Sequence, residues 1–232
     1  MEEITVTQNG FDGRYASYLY EKVRERFSFL PAEFDFVQKG GCSELAVKTE
    51  REYSPYVRKF TEEMIADILT IGYKYAFFEK RLPLPLLDKK KKRFLLTALV
   101  SADYKEDRGY ALRKIRGYES YCLDGFFYFR LGELKARWEG IVDYIPTDMG
   151  ETNTDSFLGF LADDGEGKIF VKNGKVYNEE YRPLTRSVLT GEPSVIGEIL
   201  LGGAERVYCF GEVEQETKNF LKKYYGEKAV FC

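Results

Sequence analysis

The stretch that decides the fold is Leu123–Ile145, LDGFFYFRLGELKARWEGIVDYI. It is the densest apolar segment of the chain and holds its only tryptophan, Trp138. Leu131, Leu134, Trp138, Ile141, Val142 and Ile145 share one stripe when the segment is wound as a helix. Glu133, Lys135, Arg137, Glu139 and Asp143 mostly fall outside that stripe, and Glu133 precedes Arg137 in the favourable order for an ion pair along a helix. Pro146 ends the helix, because the residue before a proline avoids helical backbone angles. Upstream, Asp124-Gly125 reads as a turn and Phe126-Phe127-Tyr128-Phe129 as a buried aromatic run. Each aromatic ring buries roughly 150–250 Å², so this run with Trp138 is expected to form the centre of the core.

The flanks have a different texture. Ile4 and Val6 alternate with polar neighbours up to Asn9-Gly10, which predicts a strand. Asp12 is placed to cap a helix over 13–27 that buries Ala16, Leu19, Tyr20, Val23 and Phe27. Phe34 to Gln38 and Leu45 to Val47 predict two strands joined at Gly40-Gly41, so the start is β-α-β-β. Ser54-Pro55 opens a long helix whose stripe runs through Val57, Phe60, Met64, Ile68, Ile71 and Tyr75 as far as Glu79 or Arg81, where Pro83 and Pro85 interrupt it. Asp88 opens the next, and a short one is expected over Gly109–Tyr118. After Pro146, residues 147–155 read as an exposed polar loop, 156–161 as apolar of uncertain state, and 162–167 as a turn. Asn173-Gly174 joins a hairpin. Glu192-Pro193 opens a helix closed by Gly202-Gly203. Residues 206–210 and 229–231 then form two strands around a helix, a spacing that suits a parallel pair. The fold class is α+β: a helical middle, 54–146, flanked by an N-terminal β-α-β-β piece, 1–53, and a C-terminal mixed α/β piece, 147–232. The reading is a single domain with lobes, and whether the two flanks share one sheet is left open.

The central stretch also carries a family resemblance. LDGFFYFRL at 123–131, followed by an amphipathic helix, resembles the motif of the YtxC-like putative sporulation proteins. PYVRKFTEEMIADIL at 55–69 is similar to that family's central helix, and Glu205–Cys232, ending FLKKYYGEKAVFC, is similar to its closing strand, helix and strand, whereas 147–192 fits poorly. The resemblance implies a spore-forming bacterial setting. It carries over no catalytic residues and implies an uncharacterised role.

Composition narrows the chemistry. With 44% hydrophobic and 31% charged residues the chain is an ordinary globular protein rather than a disordered one. No apolar run approaches the ~20 residues of a membrane helix, and Met-Glu-Glu does not open a secretion signal, so a cytoplasmic protein is expected. There is no histidine, which removes Ser-His-Asp and Cys-His nucleophile activation and the usual imidazole metal sites. Cys42, Cys122, Cys209 and Cys232 are too dispersed for a zinc site or a disulfide scaffold and are expected mostly as small buried apolar residues. Asp163, Asp164 and Glu166 lack the alternation of a calcium loop. No metal and no cofactor are expected.

Formal net charge is −3, yet between Lys80 and Arg116 basic residues outnumber acidic ones by twelve to four. Lys89, Lys90, Lys91, Lys92 and Arg93 surround a helix N-terminus, where positive charge is unfavourable. Either they form a solubilising first turn or they face an anion or partner. Arg130, inside the motif, is the other anion- or partner-binding candidate, or else pairs with Asp124 or Glu133. Three readings follow. The first is a non-enzymatic sporulation-associated protein acting through a protein partner. The second is a polyanion or nucleic-acid binder through segment 80–116. The third is an enzyme built on carboxylates or lysine.

Overall fold

A computed structural model describes residues 1–10 and 12–232 and shows an α+β fold with two mixed sheets. The chain forms two compact units: Met1–Tyr73 with Lys105–Arg137, and Lys74–Tyr104 with Trp138–Cys232. The helical middle is therefore divided between them.

In the first unit, strands β1 (Glu2–Asn9), β2 (Ala32–Lys39), β3 (Cys42–Thr49) and β4 (Ser120–Cys122) form a sheet in the order β2-β3-β1-β4. β3 is antiparallel to both β1 and β2, with Val6 opposite Leu45, while β4 is parallel to β1. Gly40 and Gly41 both have positive φ, as a two-residue hairpin of this twist requires. Helix α1 (Arg14–Phe27) buries Ala16, Leu19, Val23 and Phe27 as expected, with Tyr20 half-buried. Its start is capped differently from the expectation. Asp12 accepts from Arg14 N at 2.7 Å, but the buried Gln8 on β1 accepts from Tyr15 N and Ala16 N at 3.1 and 2.9 Å. A strand side chain thus satisfies the orphan donors of the helix.

Helix α2 (Ser54–Asp67) begins with Ser54 inside its first turn, not as its cap. It runs directly into a π-helical segment, Ile68–Tyr73, every residue of which is buried. Helix α3 (Lys74–Arg81) continues the same run in the second unit, so the long helix ends at Arg81 as its stripe predicts. Helices α4 (Lys89–Ala102) and α5 (Tyr104–Ile115) follow. α5 starts earlier than its glycine suggested, because Glu106 and Asp107 suit a helix N-terminus.

Residues 123–130 are helical throughout: a single turn, Leu123–Gly125, leads into a second π-helical segment, Phe126–Arg130. The Leu131 N to Phe126 O bond, 3.2 Å, is the wide i to i+5 closure of that geometry. The winding divides the run between two sides. Phe126 and Phe127 are buried, while Tyr128 and Phe129 face solvent, which corrects the expectation of a four-ring core. Helix α6 (Gly132–Tyr144) follows as expected, with Leu131, Leu134 and Trp138 buried. Arg137 turns away from Glu133 to Asp107 Oδ1 at 3.0 Å and Glu106 at 3.7 Å.

In the second unit the sheet order is β7-β6-β5-β8-β9, from β5 (Lys168–Lys172), β6 (Lys175–Tyr177), β7 (Pro183–Leu184), β8 (Arg206–Phe210) and β9 (Ala229–Phe231). β5, β8 and β9 run parallel, as the spacing of the last two predicts, and β6 closes the Asn173-Gly174 hairpin. The flanks do not share a sheet. Helix α7 (Glu151–Asp163) replaces the expected loop. Only Thr154, Leu158 and Ala162 of it are buried, a stripe too narrow to outweigh ETNTD in the sequence. Helices α8 (Val195–Gly202) and α9 (Gln215–Tyr224) complete the layer around a core of Phe94, Leu158, Ile169, Val207, Ile199 and Phe220. Trp138 meets Phe77 edge-on at 5.6 Å, beside the fully buried Lys74. Of the cysteines, only Cys209 is buried; Cys42 and Cys122 are half-buried and Cys232 is exposed.

Candidate docking face on the aromatic motif

The motif is braced from beneath. Asp124 accepts from the Tyr73 hydroxyl at 2.8 Å and from Asn9 N at 2.7 Å. The Tyr73 ring lies between those of Tyr15 and Phe127, at 5.0 and 4.9 Å. Burial, then the Asp124 carboxylate, push the Tyr73 phenol well above its ordinary value. Tyr15 in turn lies against Gly72, where an added Cβ would come within 2.5 Å of its ring. The two π-helical segments of this unit thus meet through Tyr73, Asp124 and Phe127. Beside them, Arg58 Nη1 donates to Tyr118 O at 2.5 Å, and the Tyr121 hydroxyl donates to buried Glu62 at 2.8 Å. Burial and that bond push Tyr121 up to about 12.

On this base stand exposed aromatic rings. Phe129 is 85% exposed, Tyr128 60% and Tyr118 36%. The Arg130 guanidinium sits 5.8 Å from the Tyr118 ring centre. Lys135 Nζ donates to Tyr128 O at 2.9 Å and lies 5.4 Å from the Phe127 ring centre. Among the described residues neither Arg130 nor Lys135 has an ion-pair partner, and Asp124, one carboxylate expected for Arg130, is held by Tyr73 and Asn9. The sequence reading found Arg130 and missed Tyr118 and Lys135. The signal for Lys135 was its place one helical turn past Leu131; nothing local marks Tyr118.

The lysine run lies in the second unit, at the start of α4, where Asp88 Oδ1 caps Lys91 N at 2.7 Å. Lys90 pairs with Glu216 at 2.9 Å, Lys91 with Asp155, and Arg93 with Glu192, while Lys92 donates to Pro83 O at 3.1 Å. Lys89 is exposed. Asp155 also receives Lys223 and the Tyr224 hydroxyl. Burial works to raise its carboxyl, but hydrogen bonds from Lys223, Lys91 and Tyr224 outweigh burial and hold it at about 2. A cavity of about 420 Å³ opens beside these pairs, floored by Phe94, Ile196 and Phe220. Its rim carries Lys90 and Lys223 but also Glu216 and Asp88, so its charges are mixed. Among the described residues no group of three or more His, Cys, Asp or Glu is placed to hold a metal ion, and no helix is long and apolar enough to cross a membrane.

No protein-family model, no curated protein and no solved structure matches the chain.

Proposed function

We propose that this protein is a non-enzymatic, cytoplasmic, sporulation-associated component that works by holding a protein partner on the face formed by Tyr118, Tyr128, Phe129 and Arg130. The setting rests on the motif resemblance. The mode rests on one observation: Phe129 is 85% exposed at the crest of a turn whose underside is pinned by Tyr73 and Asp124. Tyrosine and arginine are the residues in which interface energy concentrates, and a braced backbone lowers the entropy lost on binding. Polyanion binding through Lys89–Arg93 is the weaker reading, because the pairs Lys90–Glu216, Lys91–Asp155 and Arg93–Glu192 must first be broken.

The test is photo-crosslinking in sporulating cells with benzoylphenylalanine at position 129. The control carries it at Tyr181, 66% exposed in the other unit. A discrete protein adduct at 129, absent at 181 and accompanied by a sporulation defect in Phe129→Ser, is expected. The same adducts at both positions, or none, overturn the proposal.

A further inference from the structure

Charge on the face narrows what can dock there. This step rests on the docking reading above and specifies the partner. Several cations of the chain are matched: Arg81 with Glu139, Arg108 with Asp67, Arg137 with Asp107, and Lys228 with Asp163. Those around the motif are not. Arg130 and Lys135 flank Tyr128 and Phe129 without a carboxylate, and Arg116, exposed two residues before Tyr118, also lacks an ion pair among the described residues. Exposed Glu119 and Glu133 are close in sequence, yet neither pairs with these cations. Arg130 lies over the Tyr118 ring, which orders a guanidinium while leaving its N–H fork free for a bidentate carboxylate. Lys135 is likewise held by Tyr128 O and two rings.

We infer that the partner presents an acidic segment bearing an aromatic or aliphatic side chain. The carboxylates lie on Arg130 and Lys135, and the apolar group lies on Phe129 and Tyr128. Protein fits better than nucleic acid: the cations are few and set beside rings rather than along a groove.

The experiment is fluorescence anisotropy of the full chain with four labelled probes: a random glutamate–tyrosine copolymer, polyglutamate, a lysine–tyrosine copolymer and oligothymidylate. Tight binding is expected for the glutamate–tyrosine copolymer, weaker for polyglutamate and none for the lysine–tyrosine copolymer. The double variant Arg130→Glu, Lys135→Glu should weaken it on the order of tenfold or more, and Phe129→Ser should do likewise. All three positions lie outside the core, so the variants fold, which circular dichroism checks. If Phe129→Ser abolishes copolymer binding but the charge reversal does not, the docking face stands and its acidic specificity is overturned. If no probe binds, or neither variant matters, the acidic partner is overturned and the crosslink at 129 decides the docking reading alone. If oligothymidylate binds more tightly than the glutamate–tyrosine copolymer, the face reads nucleic acid and the inference is overturned.

Discussion

The hydroxyl of Tyr73 donates to Oδ1 of Asp124 at 2.8 Å, joining the end of one π-helical segment to the turn that leads into another from a distant part of the chain. π-helical geometry is rare and is retained where side chains must be aimed. Here it aims Tyr73 inward and Phe129 outward. Tyr73→Phe should cost about 1–3 kcal/mol, because half-buried Asp124 loses its tyrosine donor. Urea unfolding measures this, and an unchanged midpoint would show that the bond does not brace the motif.

The same phenol makes stability depend on alkaline pH. Its ordinary value is 10.0, and in the fold it is raised by burial and by Asp124. Above about pH 10 the unfolded chain loses this proton while the folded chain keeps it, so protons bind the native state more and stability falls as pH rises. Its contribution is complete below pH 10 and is lost progressively above it. Tyr121 adds to the trend, being pushed up to about 12. Unfolding midpoints between neutral pH and alkali should fall, and less so in Tyr73→Phe; parallel curves for the two proteins would refute the assignment.

Asp155 governs the acid limb. Its carboxyl is held at about 2 against an ordinary 3.8, so its contribution is present above pH 3.8 and is lost as pH falls through about 2. Lys223 is half-exposed, and solvent screening limits the effect to about 1–2 kcal/mol. Asp155→Asn should destabilise the protein at neutral pH by this amount and flatten the drop between the two values. Thermal melts of both proteins across that range decide it.

Phe127 and Phe129 were alike in the sequence and are opposite in the fold, at 9% and 85% exposure. Phe127→Ala should cost roughly 3–5 kcal/mol, whereas Phe129→Ser should change stability by less than about 0.5 kcal/mol. Equal losses in chemical denaturation would mean that the motif is a core element after all.

Why that pair could not be separated beforehand shows where sequence reading stops. Periodicity is legible when it extends over several turns, as from Leu131 into α6, where Leu131, Leu134 and Trp138 are buried and Ile141, Val142 and Ile145 half-buried. It is illegible in a five-residue π-helical turn, which repeats too few times to show a period. Punctuation served well at Gly40-Gly41 and Asn173-Gly174, because positive φ leaves a residue signature. It served poorly for α7, whose one narrow buried stripe hides among acids and threonines. The lysine run was visible as an anomaly, but its partners, Glu216, Asp155 and Glu192, lie 60 or more residues away, beyond any local rule. Arg130 was legible as a candidate only through the motif; the Tyr118 ring beside it came from the fold.

That run supplies a final prediction, because its five cations have unequal surroundings. Lys91 is 17% exposed against Asp155 at 25%, and both sit where α4 and α7 pack. Lys89, fully on the outside of the same turn, pairs with nothing among the described residues. Removing Lys91 leaves a half-buried carboxylate with Lys223 alone to neutralise it, so Lys91→Ala should cost about 1–2 kcal/mol. Lys89→Ala should cost nothing, and should even gain about 0.3 kcal/mol by relieving positive charge at a helix N-terminus. If chemical denaturation finds the two substitutions equivalent, the run is only a solvated turn, and the ion pairs drawn from α4 to α7 contribute nothing to stability.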